Sequence, residues 1–433
     1  MQPVQRPINL YATMGYRTSK GDEGGTLFQE EVLAAAPLAV VGVNVAQKGK
    51  GRSPKADCRT QDLEFYEFFA GGGMARAGLG NGWKCNFAND FDFKKSITYN
   101  ENWGKGALLT RDVGSIKTTD LPGTPDFVWA SFPCQDLSLA GMGAGLQGDR
   151  SGTFWPFWRL MQQLSAEGRG PKMVVLENVC GTLTSHGGKD FSAIAGALAN
   201  AGYHYGAVVL DAAEFVPHSR PRLFVVAVRN GIPIPQSLVC NGPDPLRHTK
   251  ALRDAFIGLT PGIKAQWVWW NVPMAEKRRT SFADLIEEDP SSVRWHSAAE
   301  TKGLLQMMSP LNRHKVLAAQ RSGRRMVGTI YKRTRANGFG EKVQRAEVRF
   351  DNIAGCLRTP AGGSSRQIIL VVEGKDVRSR LISSRETARL MGLPESYKLP
   401  ENYNEAYHLT GDGVAVPVVR HLAKTLFEPI LSA

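Results

Sequence analysis

From Leu63 onward, short apolar runs alternate with segments whose apolar residues recur at helical spacing. The runs predict strands over residues 63–69, 84–89, 126–131, 172–177, 203–210 and 223–228. Between them the pattern predicts helices over 74–79, 94–101, 154–166 and 191–201. This alternation implies an α/β fold on a doubly wound, mostly parallel sheet. Ligands of such sheets bind beyond the carboxyl ends of the strands. Further along, 384–392 opens on a serine N-cap and stops at a glycine, which predicts a helix, and 416–426 predicts the last one.

The alternation is interrupted twice, which divides the chain into four parts. Residues 1–60 form an N-terminal extension, expected to be flexible, whose Gln47-Lys48-Gly49-Lys50-Gly51-Arg52-Ser53-Pro54-Lys55 stretch is a basic linker. Residues 61–230 form the sheet-based domain. Residues 231–350 are punctuated by Pro and Gly around a cluster at 267–270, and predict a smaller domain with little regular structure. Residues 351–433 return to complete the first domain.

Composition narrows the class. The chain has 433 residues, 42% of them hydrophobic, which is enough for a large core without a membrane segment; the longest apolar run, 33–46, is too short to cross a bilayer. Six cysteines stand singly at 58, 85, 134, 180, 240 and 356. That spacing argues against a zinc site or a disulfide framework, so no metal is expected and a reducing, cytoplasmic setting is. The net charge of +13 is concentrated in 231–350, where 20 basic residues face 10 acidic ones. Such a local excess attracts polyanions and supplies sequence-independent affinity for phosphate backbones.

The candidate chemistry lies at the predicted strand ends. Ser131-Phe132-Pro133-Cys134-Gln135 puts a thiol at the end of an apolar run, where a nucleophile would face a pocket. Phe68-Phe69-Ala70-Gly71-Gly72-Gly73 is a strand-to-helix turn whose glycines let backbone approach a nucleoside. Asn89-Asp90 stands about twenty residues on, where a nucleotide-binding sheet places a carboxylate for ribose hydroxyls. Asp112-Val113 falls on the next strand-like segment. Glu177-Asn178-Val179 and Ser219-Arg220-Pro221-Arg222 mark two more strand ends, and Gly411-Asp412-Gly413-Val414-Ala415-Val416-Pro417 lies near the C-terminus.

Taken in this order, these segments resemble the DNA (cytosine-5)-methyltransferase family, over roughly 63–228 and 352–427. The resemblance implies the fold of S-adenosylmethionine-dependent methyltransferases, with 231–350 as target-recognition domain. It implies S-adenosylmethionine as cofactor, with Phe69 and Phe91 flanking the adenine, Asp90 on the ribose, and Asp112 beside Val113 on the exocyclic amine. Ala70, Gly71, Gly73, Met74 and Pro133 would line the site, with Phe154, Asp412 and Val414 closing it. Cys134 would attack carbon 6 of cytosine, Glu177 would protonate or hydrogen-bond ring nitrogen 3, and Arg222 would contact the base carbonyl with Arg220 beside it. Three positions depart from the family pattern: Met74 replaces a glycine, His218 a glutamine and Asp412 an asparagine.

Such an enzyme must rotate its target base out of the duplex. Arg321, Arg324, Arg325, Lys332, Arg333 and Arg335 form the densest basic cluster and are the candidate DNA contacts. The expected partner is double-stranded DNA, with a cognate restriction endonuclease if the enzyme belongs to a restriction-modification pair and none if it is a solitary phage or bacterial enzyme. The expected state is a monomer without membrane contact, in the bacterial cytoplasm and associated with the nucleoid. Two rivals share the fold: a transfer-RNA cytosine-5 methyltransferase, and a DNA-binding regulator without catalysis.

Overall fold

The strands β1 (Leu63–Phe68), β2 (Trp83–Asp90) and β3 (Leu108–Thr110) are linked by α1 (Met74–Leu79) and α2 (Phe93–Trp103). They continue into β4 (Phe127–Ala130), α3 (Phe154–Ala166), β5 (Met173–Val179), α4 (Lys189–Asn200), β6 (Tyr203–Asp211) and β7 (Pro221–Arg229). β4 is buried along its whole length, and β5 along nearly all of it, because helices cover both faces of the sheet. Successive residues therefore feed opposite cores: Phe65, Trp129 and Val175 join one, Tyr66, Val128 and Val174 the other. This is the computed structural model of the chain, and it describes residues 62–133, 153–336, 340–357 and 366–433.

The seven strands run in the order β3-β2-β1-β4-β5-β7-β6. All neighbours are parallel except β7, which runs against both β5 and β6. The doubly wound, mostly parallel sheet expected from the sequence is thus present. The reversal of β7 matters for the site: its first residues lie at the edge where β1, β2, β4 and β5 end, with Arg222 opposite Val179.

Residues 231–350 are far more regular than their composition suggests. They hold α5 (Lys250–Ile257), α6 (Pro261–Lys264), α7 (Ala298–Gln306), α8 (Pro310–Arg321), β8 (Met326–Ala336) and β9 (Lys342–Arg349). The expectation of little regular structure is corrected accordingly. Only the first half of β8 is buried, and its exposed half carries charge, so no full-length alternation marks it. β10 (Ile368–Glu373) and β11 (Asp376–Leu381) complete an antiparallel sheet in the order β11-β10-β8-β9. That sheet draws strands from both sides of residue 350. Ile330, Val348 and Leu370 pack with Leu304 and Val316 of α7 and α8 into a core of its own.

The segment before α7 serves the first sheet instead. Tyr205 receives a hydrogen bond at its carbonyl from the Val268 amide and donates its own amide to Gln266, so the β6 edge is covered. The approach is so close that a side chain at Gly206 would collide with the Val268 carbonyl.

The C-terminal part holds α9 (Ser384–Leu390), α10 (Tyr403–Asp412), α11 (Val416–Leu422) and α12 (Glu428–Leu431). Ser383, one residue earlier than the expected cap, closes a capping box with Glu386. A π-helical turn over Ala423–Phe427 separates α11 from α12, where the sequence pattern reads as one helix. Val418, Val419 and Leu422 seal the α1 side of the parallel sheet. No helix among the described residues is long and apolar enough to cross a membrane.

Candidate active site

A cavity of about 410 Å³ opens at the carboxyl edge of the parallel sheet. Its floor is the turn after β1. Phe69 leaves the strand with a positive φ of 57°, a conformation non-glycine residues seldom adopt, and this sharp exit aims the backbone of Ala70, Gly71 and Gly72 at the cavity. The Gly72 carbonyl accepts from Tyr397 Oη at 2.7 Å and Trp103 Nε1 at 3.0 Å, which fixes the turn from two sides.

Asp90 ends β2 at the same mouth. Its carboxylate accepts from the Gly71 amide at 2.8 Å and the Asp92 amide at 2.8 Å, tying the two nucleotide-binding-like turns together. Burial raises its pKa above the usual carboxylate value, and the amides of Asp92 and Gly71 oppose that rise. Phe91 beside it lines the cavity while remaining 71% exposed, a free aromatic face suited to a nucleobase.

Across the cavity, Glu177 of β5 meets Arg222 of β7, Nε to Oε1 at 3.2 Å, with both side chains largely buried. Asn178 Nδ2 donates to the Phe132 carbonyl at 3.0 Å and so fixes the turn through Phe132 and Pro133. Cys134 follows that turn directly and lies outside the described residues. So do residues 1–60 and 358–365, the latter including most of the return segment's Arg-Thr-Pro and Gly-Gly-Ser-Ser pieces.

Arg220 takes a different part from its neighbour. It is buried, and its Nη2 donates to the carbonyls of Gly411 and Gly413 at 2.7 Å each. Nη1 reaches the Leu357 carbonyl at 3.4 Å. Burial, with the nearby Arg222 cation, pulls its pKa down to about 10, still far above neutrality. Arg220 therefore latches the C-terminal turn onto the sheet. His218 holds other parts of the C-terminal region without lining the cavity: its Nε2 accepts from the Leu357 amide at 3.2 Å and its Nδ1 lies 3.2 Å from the Leu390 carbonyl of α9. Burial and Arg220 hold its pKa well below the ordinary value, so the ring is neutral and donates from Nδ1.

Phe69, Ala70, Gly71, Met74, Asp90, Phe91, Pro133, Glu177, Arg220, Arg222, Asp412 and Val414 all line this one cavity. Four expected residues, Gly73, Asp112, Val113 and Phe154, do not. Gly73 turns away, with positive φ, against Trp103, whose ring a side chain there would strike. Asp112 is exposed and caps a short 3-10 turn that begins at Val113, replacing the strand expected there. Phe154 is wholly buried; its ring stands 5.3 Å from Phe132, so it supports the Pro133 turn from behind. Met74 packs against Gly413, leaving no room for a side chain at that glycine.

Sequence reading also missed lining residues. Lys95, in the first turn of α2, carries no motif signal. Glu67 sits between apolar neighbours in β1 and is 1% exposed. One of its oxygens accepts from the Arg76 amide at 3.3 Å, and the other has no partner among the described residues. Burial pushes its pKa up to about 8, so this carboxyl is largely protonated at neutral pH.

Of the candidate DNA contacts, several are already paired. Arg325 bridges Glu288 and Glu373, while Arg333 and Arg335 share Glu347. Arg321 and Arg324 make no ion pair among the described residues and stand exposed at the end of α8. Lys332 lies on β8 beside Arg333.

Comparisons with known proteins give the family and the fold. A model of the family described as C-5 cytosine-specific DNA methylase matches residues 63–428. The chain is 26% identical over 351 residues to the Type II methyltransferase M.Bsp6I of Bacillus sp. (strain RFL6), covering 80% of this chain and 91% of that one. It is 23% identical to the Type II methyltransferase M.HhaI of Haemophilus parahaemolyticus, over 85% and 95% of the two chains. In fold it is similar to the S. pombe Dnmt2 methyltransferase, with a TM-score of 0.53 and 18% identity over 85% of this chain and 99% of that one. With the family match spanning nearly the whole described structure and its motifs facing one cavity, the chain belongs to the C-5 cytosine-specific DNA methylases.

Proposed function

We propose that this protein methylates carbon 5 of a cytosine within a specific duplex DNA sequence, through a transient bond from Cys134 to a flipped-out base. The observation that carries the reading is the convergence on one cavity of the β1 glycine turn, the Asn178-held Pro133 turn and the Glu177–Arg222 pair. The cavity is of a size for a nucleoside with an amino-acid tail and offers an aromatic face, a carboxylate and aimed backbone, which fits S-adenosylmethionine. That cofactor supplies the methyl group. Phe91 would cover its base and Asp90 would meet its ribose.

On the cytosine side, the Cys134 thiolate adds to carbon 6, which makes carbon 5 nucleophilic enough to accept the methyl group. Glu177 hydrogen-bonds ring nitrogen 3 and relieves the charge that develops there, and Arg222 both orients Glu177 and reaches the base carbonyl. Loss of the carbon 5 proton and departure of the thiolate restore the ring. The base is reached by flipping, supported by phosphate contacts from the basic second sheet. The Type II names of the relatives support a modification role beside a cognate endonuclease.

Duplex DNA bearing 5-fluorocytosine, which lacks the proton to be lost, tests this directly. With the methyl donor present, the wild-type chain is expected to form an adduct stable to denaturing electrophoresis. Cys134→Ala is expected to form none and to transfer no methyl group, while binding cofactor within a few-fold of wild type. Full activity in that variant rules the mechanism out, and methyl transfer to transfer RNA in preference to duplex DNA would replace the substrate.

A further inference from the structure

Gly413 follows α10 with φ −72° and ψ 171°, an extended conformation open to any residue, so its backbone makes no demand for glycine. The demand comes from α1. A side chain at 413 would strike the Met74 thioether, Sδ first and then Cε, while the next atom, the Leu409 carbonyl oxygen, would stand 3.3 Å away. Neither backbone can retreat from the other. Arg220 Nη2 holds the carbonyls of Gly411 and Gly413 at 2.7 Å each. On the far side, α1 lies so close to α11 that a side chain at Gly78 would collide with Val419 and the Val416 carbonyl. Met74 is 2% exposed and shares one core with Leu409, Val414 and Val419, which closes that direction as well. Among the described residues, the open side is the cavity, which Met74 and Gly413 both line.

We propose that Gly413 is a seat for the Met74 thioether, and that this seat keeps the thioether out of the cofactor pocket and so sets the pocket's free width. The inference rests on reading the cavity as the cofactor site. Met74 limits ligand size at this wall, and Gly413 is a positioning residue that acts through it. Methionine suits the part, because its unbranched thioether adapts to the space it is given. A methyl group at 413 would therefore drive the sulfur into the ligand's space while the packed backbones on either side stay where they are. The loss should appear in affinity far more than in stability.

Titration calorimetry of the full chain with S-adenosylhomocysteine, beside chemical denaturation without ligand, tests this without reference to turnover. Gly413→Ala is expected to weaken binding by about tenfold while its denaturation midpoint stays close to that of wild type. Adding Met74→Ala should restore affinity to within about threefold of wild type, because the new methyl group then has nothing to displace. Met74→Ala alone should bind no more tightly than wild type, so that the recovery belongs to the pair. With isotope-labelled methionine methyl groups, the resonance absent from Met74→Ala should shift in the wild-type chain when the ligand is added, a reading that needs no change at 413. An unmoved resonance, an unchanged affinity in Gly413→Ala, a fall in its stability in place of its affinity, or a loss that Met74→Ala leaves in place overturns the proposal. So does a recovery matched by an equal gain in Met74→Ala alone. A wild-type chain that does not bind S-adenosylhomocysteine removes the reading of the cavity itself, and the proposal with it.

Discussion

At the edge of the parallel sheet, Arg220 is buried and its Nη2 ends on two carbonyl oxygens. On the antiparallel sheet, Arg333 and Arg335 reach from the exposed end of β8 to a single carboxylate, Glu347. The charge is the same and the physics is opposite. In the first region a buried planar cation holds two backbone carbonyls at fixed angles, so its contribution is geometric and not easily exchanged. In the second, water can replace every partner, so what matters is the number of positive charges and not where each one rests.

The largest effect that separates the regions is expected at Arg220. Arg220→Ala takes the shared donor from the Gly411 and Gly413 carbonyls, one buried and one half-buried, which should cost roughly 2 kcal/mol of stability and loosen the turn that carries Asp412 and Val414. Chemical denaturation reads the first, and cofactor titration the second. Arg220→Lys should recover little, because an ammonium cannot serve the carbonyls in the same plane. Loss of turnover with unchanged stability and cofactor affinity would instead put Arg220 in direct contact with the substrate.

A smaller effect in the same buried region is expected from Glu67. Its folded pKa, pushed up to about 8, lies above the ordinary 4.5, so the folded chain holds its proton more tightly than the unfolded chain does. The associated stability is complete below about pH 4.5 and is lost as the pH rises through about 8. Wild-type melting temperature should therefore fall by roughly 2–4 °C more than that of Glu67→Gln between pH 6 and pH 9. Parallel pH profiles for the two proteins would mean that the carboxyl is satisfied by a partner and ionised throughout.

How far these regions could be read from the chain follows from the same contrast. The centre of the parallel sheet declares itself because β4 and most of β5 are buried on both faces and so read as apolar runs; the helices at Met74–Leu79 and Phe154–Ala166 fall where the pattern puts them. Motif turns such as Phe69-Ala70-Gly71 are legible because their backbone demands particular residues. β8 was not legible, since half of it faces water and alternation there has no consequence for folding. Lys95 and Glu67 were equally hidden: each is defined by what the fold brings opposite it, and a lysine on a helix or a glutamate among apolar residues gives no local sign. Asp112 and Phe154 show the converse case. A resemblance assigns them to the cofactor, and the fold adds what the chain does not declare: one caps a short 3-10 turn and the other supports Phe132.

The smallest effects, and the sharpest division within the basic region, are expected on DNA affinity. Arg321 and Arg324 have no ion pair among the described residues, so each can neutralise a phosphate without first giving up a carboxylate. Arg333 and Arg335 must release Glu347 before doing the same. Replacing Arg321 and Arg324 together by alanine should weaken duplex binding about tenfold at moderate salt and lower the slope of log affinity against log salt by about two. The loss should be equal for cognate and unrelated sequences, because phosphate contacts carry no sequence information. The Arg333→Ala/Arg335→Ala pair should lose less, since removing it also uncovers Glu347. Glu347→Gln should move the other way, freeing two guanidinium groups and raising affinity a few-fold, most at low salt where unscreened charge counts for most. If Glu347→Gln weakens binding, the carboxylate is holding those arginines in position for base edges. The second sheet would then work as the first one does, by geometry and not by charge alone.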